Sequence, residues 1–168
     1  LHASALHFRI KLKDAPVPVW REVEVPSNIS LAFFAFVVIE AMGWMNEHLH
    51  QFIYKEHYYQ NTASIKQNDD MFGIWGKNSK TYNTEKMPVS ALFQEKGARI
   101  KFEYDFGDSW MHEIWLKGSR EYAPDERPSI KILKGVGACP PEDCGGIWGY
   151  ERLLALASKK RKSAEEKD

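Results

Sequence analysis

Apolar side chains at Leu6, Phe8, Ile10 and Leu12 alternate with His7, Arg9, Lys11 and Lys13, the period-two pattern of a strand with one wet face. Asp14-Ala15-Pro16 predicts a turn, and a second strand follows to Val25 with Val23 and Val25 inward and Glu22 and Glu24 outward. Pro26-Ser27-Asn28 ends it. Ser30 suits the N-cap of a helix from Leu31 to Met42, and Gly43 is placed to close that helix. The helix is apolar nearly all round, so burial against a sheet is expected.

Farther along, His48 to Ile53 and His57 to Gln60 read as a hairpin rich in aromatics but imperfect in alternation. Asn61 to Lys86 carries Asn, Asp, Lys and Gly without a clear period and reads as a long irregular segment, with one short strand expected around Phe72 to Trp75. Pro88 suits the first turn of a short helix that Gly97 would cap. The clearest alternation follows. Ile100, Phe102 and Tyr104 share one face, as do Trp110, His112, Ile114 and Leu116, and Phe106-Gly107-Asp108 lies between them. This predicts a β-hairpin with Gly107 available for positive φ. Arg120 to Pro128 reads as loop, Ile130 and Ile132 as one more strand, and Gly135 to Gly149 as a loop dense in Gly and Pro. A last helix carries Leu153, Leu154 and Leu156, and the charged residues from Lys159 onward are expected to be solvated and frayed.

These elements predict an α+β fold: a mostly antiparallel sheet of roughly five to seven strands, with two main helices packed on one face. Residues 1–158 are expected to form a single domain and 159–168 a charged C-terminal tail. Composition agrees, because 43% apolar and 13% aromatic residues in a chain of 168 supply one sizeable core. The 23 basic and 23 acidic residues give a formal net charge of zero, which does not support nucleic acid as the main partner. A protein or a small ligand is the expected partner class. The longest apolar run, Leu31 to Ile39, is far short of the roughly 20 residues of a membrane span. The alternating Phe8 to Lys13 segment does not read as a secretory leader. Two cysteines, Cys139 and Cys144, are too few for a disulfide framework, so both are expected to be reduced in a cytoplasmic protein.

Several motifs stand in one order. They are Ala41-Met42-Gly43-Trp44, His48-Leu49-His50-Gln51-Phe52, Tyr104-Asp105-Phe106-Gly107-Asp108-Ser109-Trp110-Met111-His112, Gly137-Ala138-Cys139-Pro140-Pro141-Glu142-Asp143-Cys144-Gly145-Gly146 and Gly149-Tyr150. Together they resemble the Ri-plasmid ORF-three-like family, also labelled an insertion-element passenger or resolvase-like protein. The resemblance runs from Phe8 to Leu156 and implies an α+β fold without an established activity. The resolvase label finds no support in the residues. None of the six histidines is followed by Arg at the third position, as a tyrosine recombinase requires, and Ser4, Ser27 and Ser30 lie among apolar residues rather than arginines. Walker, dinucleotide-binding, His-Glu-x-x-His and nucleophile-elbow motifs do not occur either.

Asp105, Asp108 and His112 form the first candidate catalytic group, two carboxylates flanking a tight turn beside an inward imidazole. Such a group can bind a metal or move a proton. Equally, the aspartates can cap the turn and His112 can be a satisfied core histidine. The loop from Cys139 through Glu142, Asp143, Gly145 and Gly146 to Trp148 is the candidate binding segment. Cys139 and Cys144 could supply half a zinc site completed by His48, His50 or His112, although structural zinc pairs are usually closer in sequence. The same loop could instead be a rigid entry to the last helix. Trp44, Trp75, Trp110, Trp115 and Trp148 are read mainly as core. No cofactor is expected, with a divalent metal as the alternative. The leading functional expectation is a non-enzymatic binding or accessory module associated with mobile elements. The second is a metal-dependent hydrolase or nuclease built on Asp105, Asp108 and His112, with His48 and His50 nearby.

Overall fold

A computed structural model describes residues 2–71 and 80–167, with the backbone alone at 68–71. Strand β1 (Ser4–Leu12) lies between two antiparallel neighbours, β2 (Trp20–Pro26) and β7 (Trp110–Glu121). The predicted hairpin is present: β6 (Arg99–Tyr104) pairs with β7 so that Ile100 faces Ile114, Phe102 faces His112 and Tyr104 faces Trp110. Beyond β6 the sheet continues through β3 (His50–Tyr54), β4 (His57–Gln60) and β5 (Thr81–Asn83), and beyond β2 it ends on β8 (Lys131–Val136). Among the described residues eight strands are therefore hydrogen-bonded in the order β5-β4-β3-β6-β7-β1-β2-β8, with β4 and β5 the parallel pair. The fold class is the expected α+β, with a mostly antiparallel sheet and two long helices.

Helix α1 (Leu31–Met42) begins and ends where its cap residues predict. Ser30 Oγ accepts from the Phe33 amide at 3.0 Å, and Gly43, at φ 108°, donates its amide to Ile39 O at 3.1 Å. The alternate apolar positions of β1 and β6 meet this helix in an aromatic core, where Phe34 packs on Phe8 at 4.6 Å and on Phe52 at 6.1 Å between ring centroids. Phe33 and Phe36 face outward and stack on each other. The last helix, α4 (Gly146–Glu165), reaches the same core through Tyr150, with Ile147 and Leu154 partly buried against it. No helix among the described residues is long and apolar enough to cross a membrane.

Several local expectations are corrected. The segment read as irregular from Asn61 contains helix α2 (Thr62–Met71), β5 and a 3-10 turn at Thr84–Lys86. Asn61 Oδ1 caps α2 on the Ser64 amide, and Glu85 accepts from both the amide and the hydroxyl of Thr62. The Asn61 cap is local, but Glu85 is 23 residues from Thr62 and leaves no periodicity. The strand expected at Phe72 to Trp75 lies outside the described residues. Helix α3 (Val89–Leu92) stops at Phe93, and Gly97 belongs to the turn entering β6, where its amide binds Leu116 O. Gly107 does not take positive φ. Asp105 and Ser109 do, at 62° and 54°. Glu22 and Glu24 are buried rather than solvated, because His7, Arg9 and Lys134 cover the first and Arg120 the second. Arg120 also extends β7 into the expected loop, since it pairs with Ala5 and binds Glu126. The charged stretch from Lys159 is helical through Glu165, as its Lys, Arg, Ala and Glu content favours.

Candidate functional site

Three loops meet at one end of the sheet. They are the α1–β3 connection (43–49), the β6–β7 turn (105–109) and the segment between β8 and α4 (137–145). Arg21, a residue no sequence pattern marked, fastens the first to the third. Its Nε donates to Ala41 O and its Nη2 to Met42 O at the end of α1, while Nη1 and Nη2 donate to Val136 O and Gly137 O, each at 3.0 Å. Gly137 must be glycine there, since φ is 85° and a Cβ would lie 2.1 Å from Pro18 O. The predicted Gly145-Gly146 pair seats this segment on the hairpin turn. Gly145 N donates to Asp108 Oδ2 at 3.1 Å, and a Cβ on Gly146 would lie 2.5 Å from Asp108 O.

At the meeting point stands His48. Its Nε2 lies 2.8 Å from Asp143 Oδ1, 3.6 Å from Asp105 Oδ2 and 3.8 Å from Glu142 Oε2. The Asp143 oxygen is off the ring nitrogen's bonding axis, so the contact is not a hydrogen bond and Nε2, itself buried, has no hydrogen-bond partner in the protein. Each carboxylate divides its work. Asp105 Oδ1 accepts from the Gly107 and Asp108 amides, which satisfies the turn and leaves Oδ2 for the site. Glu142 Oε1 accepts from the Met45 amide at 2.7 Å and from the Tyr104 hydroxyl at 2.9 Å. Tyr104 in turn accepts from the Glu47 amide, so one buried hydroxyl ties two of the loops together. Burial, followed by the Glu142 carboxylate, raises the Tyr104 phenol above its ordinary value and keeps it a donor.

Asp105 and Asp143 both hold left-handed backbone, at φ 62° and 54°. Such conformations cost on the order of 1–3 kcal/mol each unless the surroundings impose them. Here a side-chain cap on one turn and the packing of a Gly-rich loop impose them, and the outcome is two carboxylates aimed at one imidazole. Among the described residues, His48, Asp105 and Asp143 are the group of three donors whose ligand atoms all lie within 4.8 Å of one another. Asp105 is buried and Asp143 is on the open side.

The predicted catalytic trio does not assemble. Asp105 joins the His48 cluster, Asp108 is spent on Gly145, and His112 is fully buried under α1 with Nδ1 on Phe102 O at 3.2 Å. Burial pushes His112 down to about 4, so it is neutral at ordinary pH. His50 separates from His48. It is buried beside Phe102 and likewise pushed down to about 4 by burial. The cysteines are free. Cys139 packs on Gly43, and burial pushes its thiol up to about 12; Cys144 lies near Gly146 O and is also raised by burial. Neither sulfur belongs to the three-donor group. Trp44 and Trp110 are core, packed with ring centroids 5.0 Å apart, whereas Trp148 is exposed on the first turn of α4.

A family model described as plasmid pRiA4b ORF-3-like protein matches residues 4–168. A curated relative in Sinorhizobium fredii (strain NBRC 101917 / NGR234), the "Uncharacterized protein y4hQ", is 33% identical over 161 residues, covering 92% of this chain and 74% of its own length. The fold is similar to the crystal structure of the protein of unknown function MM3350 from Methanosarcina mazei Go1. That match has a TM-score of 0.76 and 22% identity over 94% of this chain and 83% of the other.

Proposed function

The chain belongs to the plasmid pRiA4b ORF-3-like family, and from that premise we propose that it is a divalent-cation-binding protein whose ligands are His48 Nε2, Asp105 Oδ2 and Asp143 Oδ1. One observation carries the reading: an imidazole nitrogen with no hydrogen-bond partner sits 2.8–3.8 Å from three carboxylate oxygens. Donors sharing a cation at bonds of about 2.0–2.2 Å are themselves roughly 3.0–3.4 Å apart, so side-chain shifts of under about 1 Å would bring these donors into one coordination sphere. One nitrogen with two or three carboxylates suits Zn²⁺ or Mn²⁺ better than Ca²⁺, which takes oxygen alone. Glu142 stands beside the sphere and is held by Tyr104 and Met45.

As a binding module the chain needs nothing further. A hydrolytic role is the second reading, supported by the exposure of Asp143, which leaves the outer side of the cluster room for a metal-bound water. An accessory role on mobile elements is supported by the plasmid in the family's description, and an intracellular setting by two unpaired cysteines. The test is calorimetric titration of the untagged, chelator-stripped chain with Zn²⁺ and Mn²⁺. One site is expected, weakened about tenfold or more (about 1.4 kcal/mol) in Asp143→Asn. Failure of either ion to bind stoichiometrically, or equal binding by Asp143→Asn, would make the cluster an ion-pair network only.

A further inference from the structure

Wherever else the described residues include a tryptophan, something covers it. Trp44 and Trp110 are buried, Trp20 lies under the Arg9 guanidinium at 4.2 Å, and Trp115 lies under that of Arg99 at 4.7 Å. Trp148 is 82% exposed. It stands one helical turn before Arg152 on α4, and the two side chains line the same groove of about 350 Å³ with Gly149, Leu153 and Leu156. Arg152 makes no hydrogen bond or ion pair among the described residues, unlike Arg9, Arg21, Arg99 and Arg120. The groove also includes Gly145, whose amide is fixed on Asp108 and which follows the cation ligand Asp143 by two residues. Two residues span at most about 7 Å, so the groove and the cation site are neighbours.

We propose that this groove binds a nucleoside monophosphate, with its base on the Trp148 indole and its phosphate between the Arg152 guanidinium and the cation held by His48, Asp105 and Asp143. The inference rests on the cation reading for one of its three contacts and supplies the ligand class that reading leaves open. Three features select this ligand. An open indole face accepts any base, because every base has a π-face. A guanidinium without a carboxylate partner presents a planar fork that fits phosphate oxygens in pairs. Leu153 and Leu156, 41% and 53% exposed, offer apolar surface for the rest of the base and the sugar. The volume is near the lower end of small-molecule sites, about 300–1,000 Å³, and suits one nucleotide.

The test uses the whole chain, with AMP, GMP, CMP and UMP titrated calorimetrically in Mn²⁺ and again in EDTA. At least one of the four is expected to bind in Mn²⁺. Trp148→Ala and Arg152→Gln should each weaken it about tenfold or more, as should loss of the phosphate in the parent nucleoside. Both side chains face solvent, so each variant is expected to keep the parent circular dichroism and Tm. A chain that takes up Mn²⁺ but none of the four nucleotides overturns the groove and leaves the cation reading standing. Nucleotide binding that survives both substitutions also overturns it, since the ligand is then elsewhere. Binding in EDTA that is lost in both variants supports the groove and counts against the cation.

Discussion

Tyr104→Phe removes one oxygen from a fully buried ring and, with it, the link between two loops of the site. The hydroxyl donates to Glu142 at 2.9 Å and accepts from the Glu47 amide at 3.1 Å. Glu47 is exposed, so water can replace its lost acceptor, and Glu142 keeps the Met45 amide at 2.7 Å. What remains is the loss of one hydrogen bond to a charged group, about 1.5–3 kcal/mol. For a chain of this size each kcal/mol moves Tm by about 2–4 °C, so a decrease of about 3–12 °C is expected, with a parallel fall in the urea midpoint at constant m. The ring itself stays packed between Trp44 and His48, with centroids at 5.4 and 5.8 Å, so no cavity larger than one oxygen opens. The second readout is cation affinity. Groups that orient metal ligands typically matter by about 10–100-fold, and Glu142 and the 43–49 loop both lean on this hydroxyl. A variant with parental Tm and parental cation affinity would refute the account, because the hydroxyl would then bear no load in either role.

His112 and His50, both pushed down to about 4 by burial, make stability depend on pH. The unfolded chain, with histidines near about 6.5, takes up their protons first, so stability present above about pH 6.5 is lost as pH falls toward 4. His112→Asn should flatten the change in urea midpoint between pH 7 and pH 5, and an unchanged slope would clear His112 of the effect. Backbone crowding separates two glycines. Gly137→Ala, at φ 85° with its Cβ 2.1 Å from Pro18 O, should cost about 2–4 kcal/mol. Gly107→Ala meets only the Asp105 carboxylate oxygen at 3.3 Å and should cost about 1 kcal/mol or less. Equal denaturation midpoints for the two variants would contradict this ordering.

The alternation of Leu6, Phe8, Ile10 and Leu12, the Ser30 and Gly43 caps and the Ile100 to Leu116 hairpin could all be read directly from the chain, because each depends on residues within a few positions of one another. The resemblance to the family was legible for the same reason, its motifs being contiguous. Two loops could also be marked as more than connectors: the rigid Cys139 to Gly146 segment and the Asp105 turn carry more Gly, Pro and Asp than a simple connector needs.

Which atoms meet was decided only in three dimensions. Sequence spacing grouped His112 with Asp105 and Asp108, since all three lie on one hairpin, yet strand pairing turns His112 into the core opposite Phe102 while the turn projects Asp105 outward to His48. The positive φ assigned to Gly107 fell to Asp105 and Ser109, because a carboxylate that caps its own turn offsets the left-handed penalty a glycine would avoid. The burial of Glu22 and Glu24 was invisible for a related reason, as was the Glu85 contact at the start of α2, since these partners arrive from strands and turns far along the chain. Local order depends on short-range periodicity and caps. The site depends on long-range contacts, Arg21 to Gly137 and Tyr104 to Glu142 above all, that no window of the sequence contains.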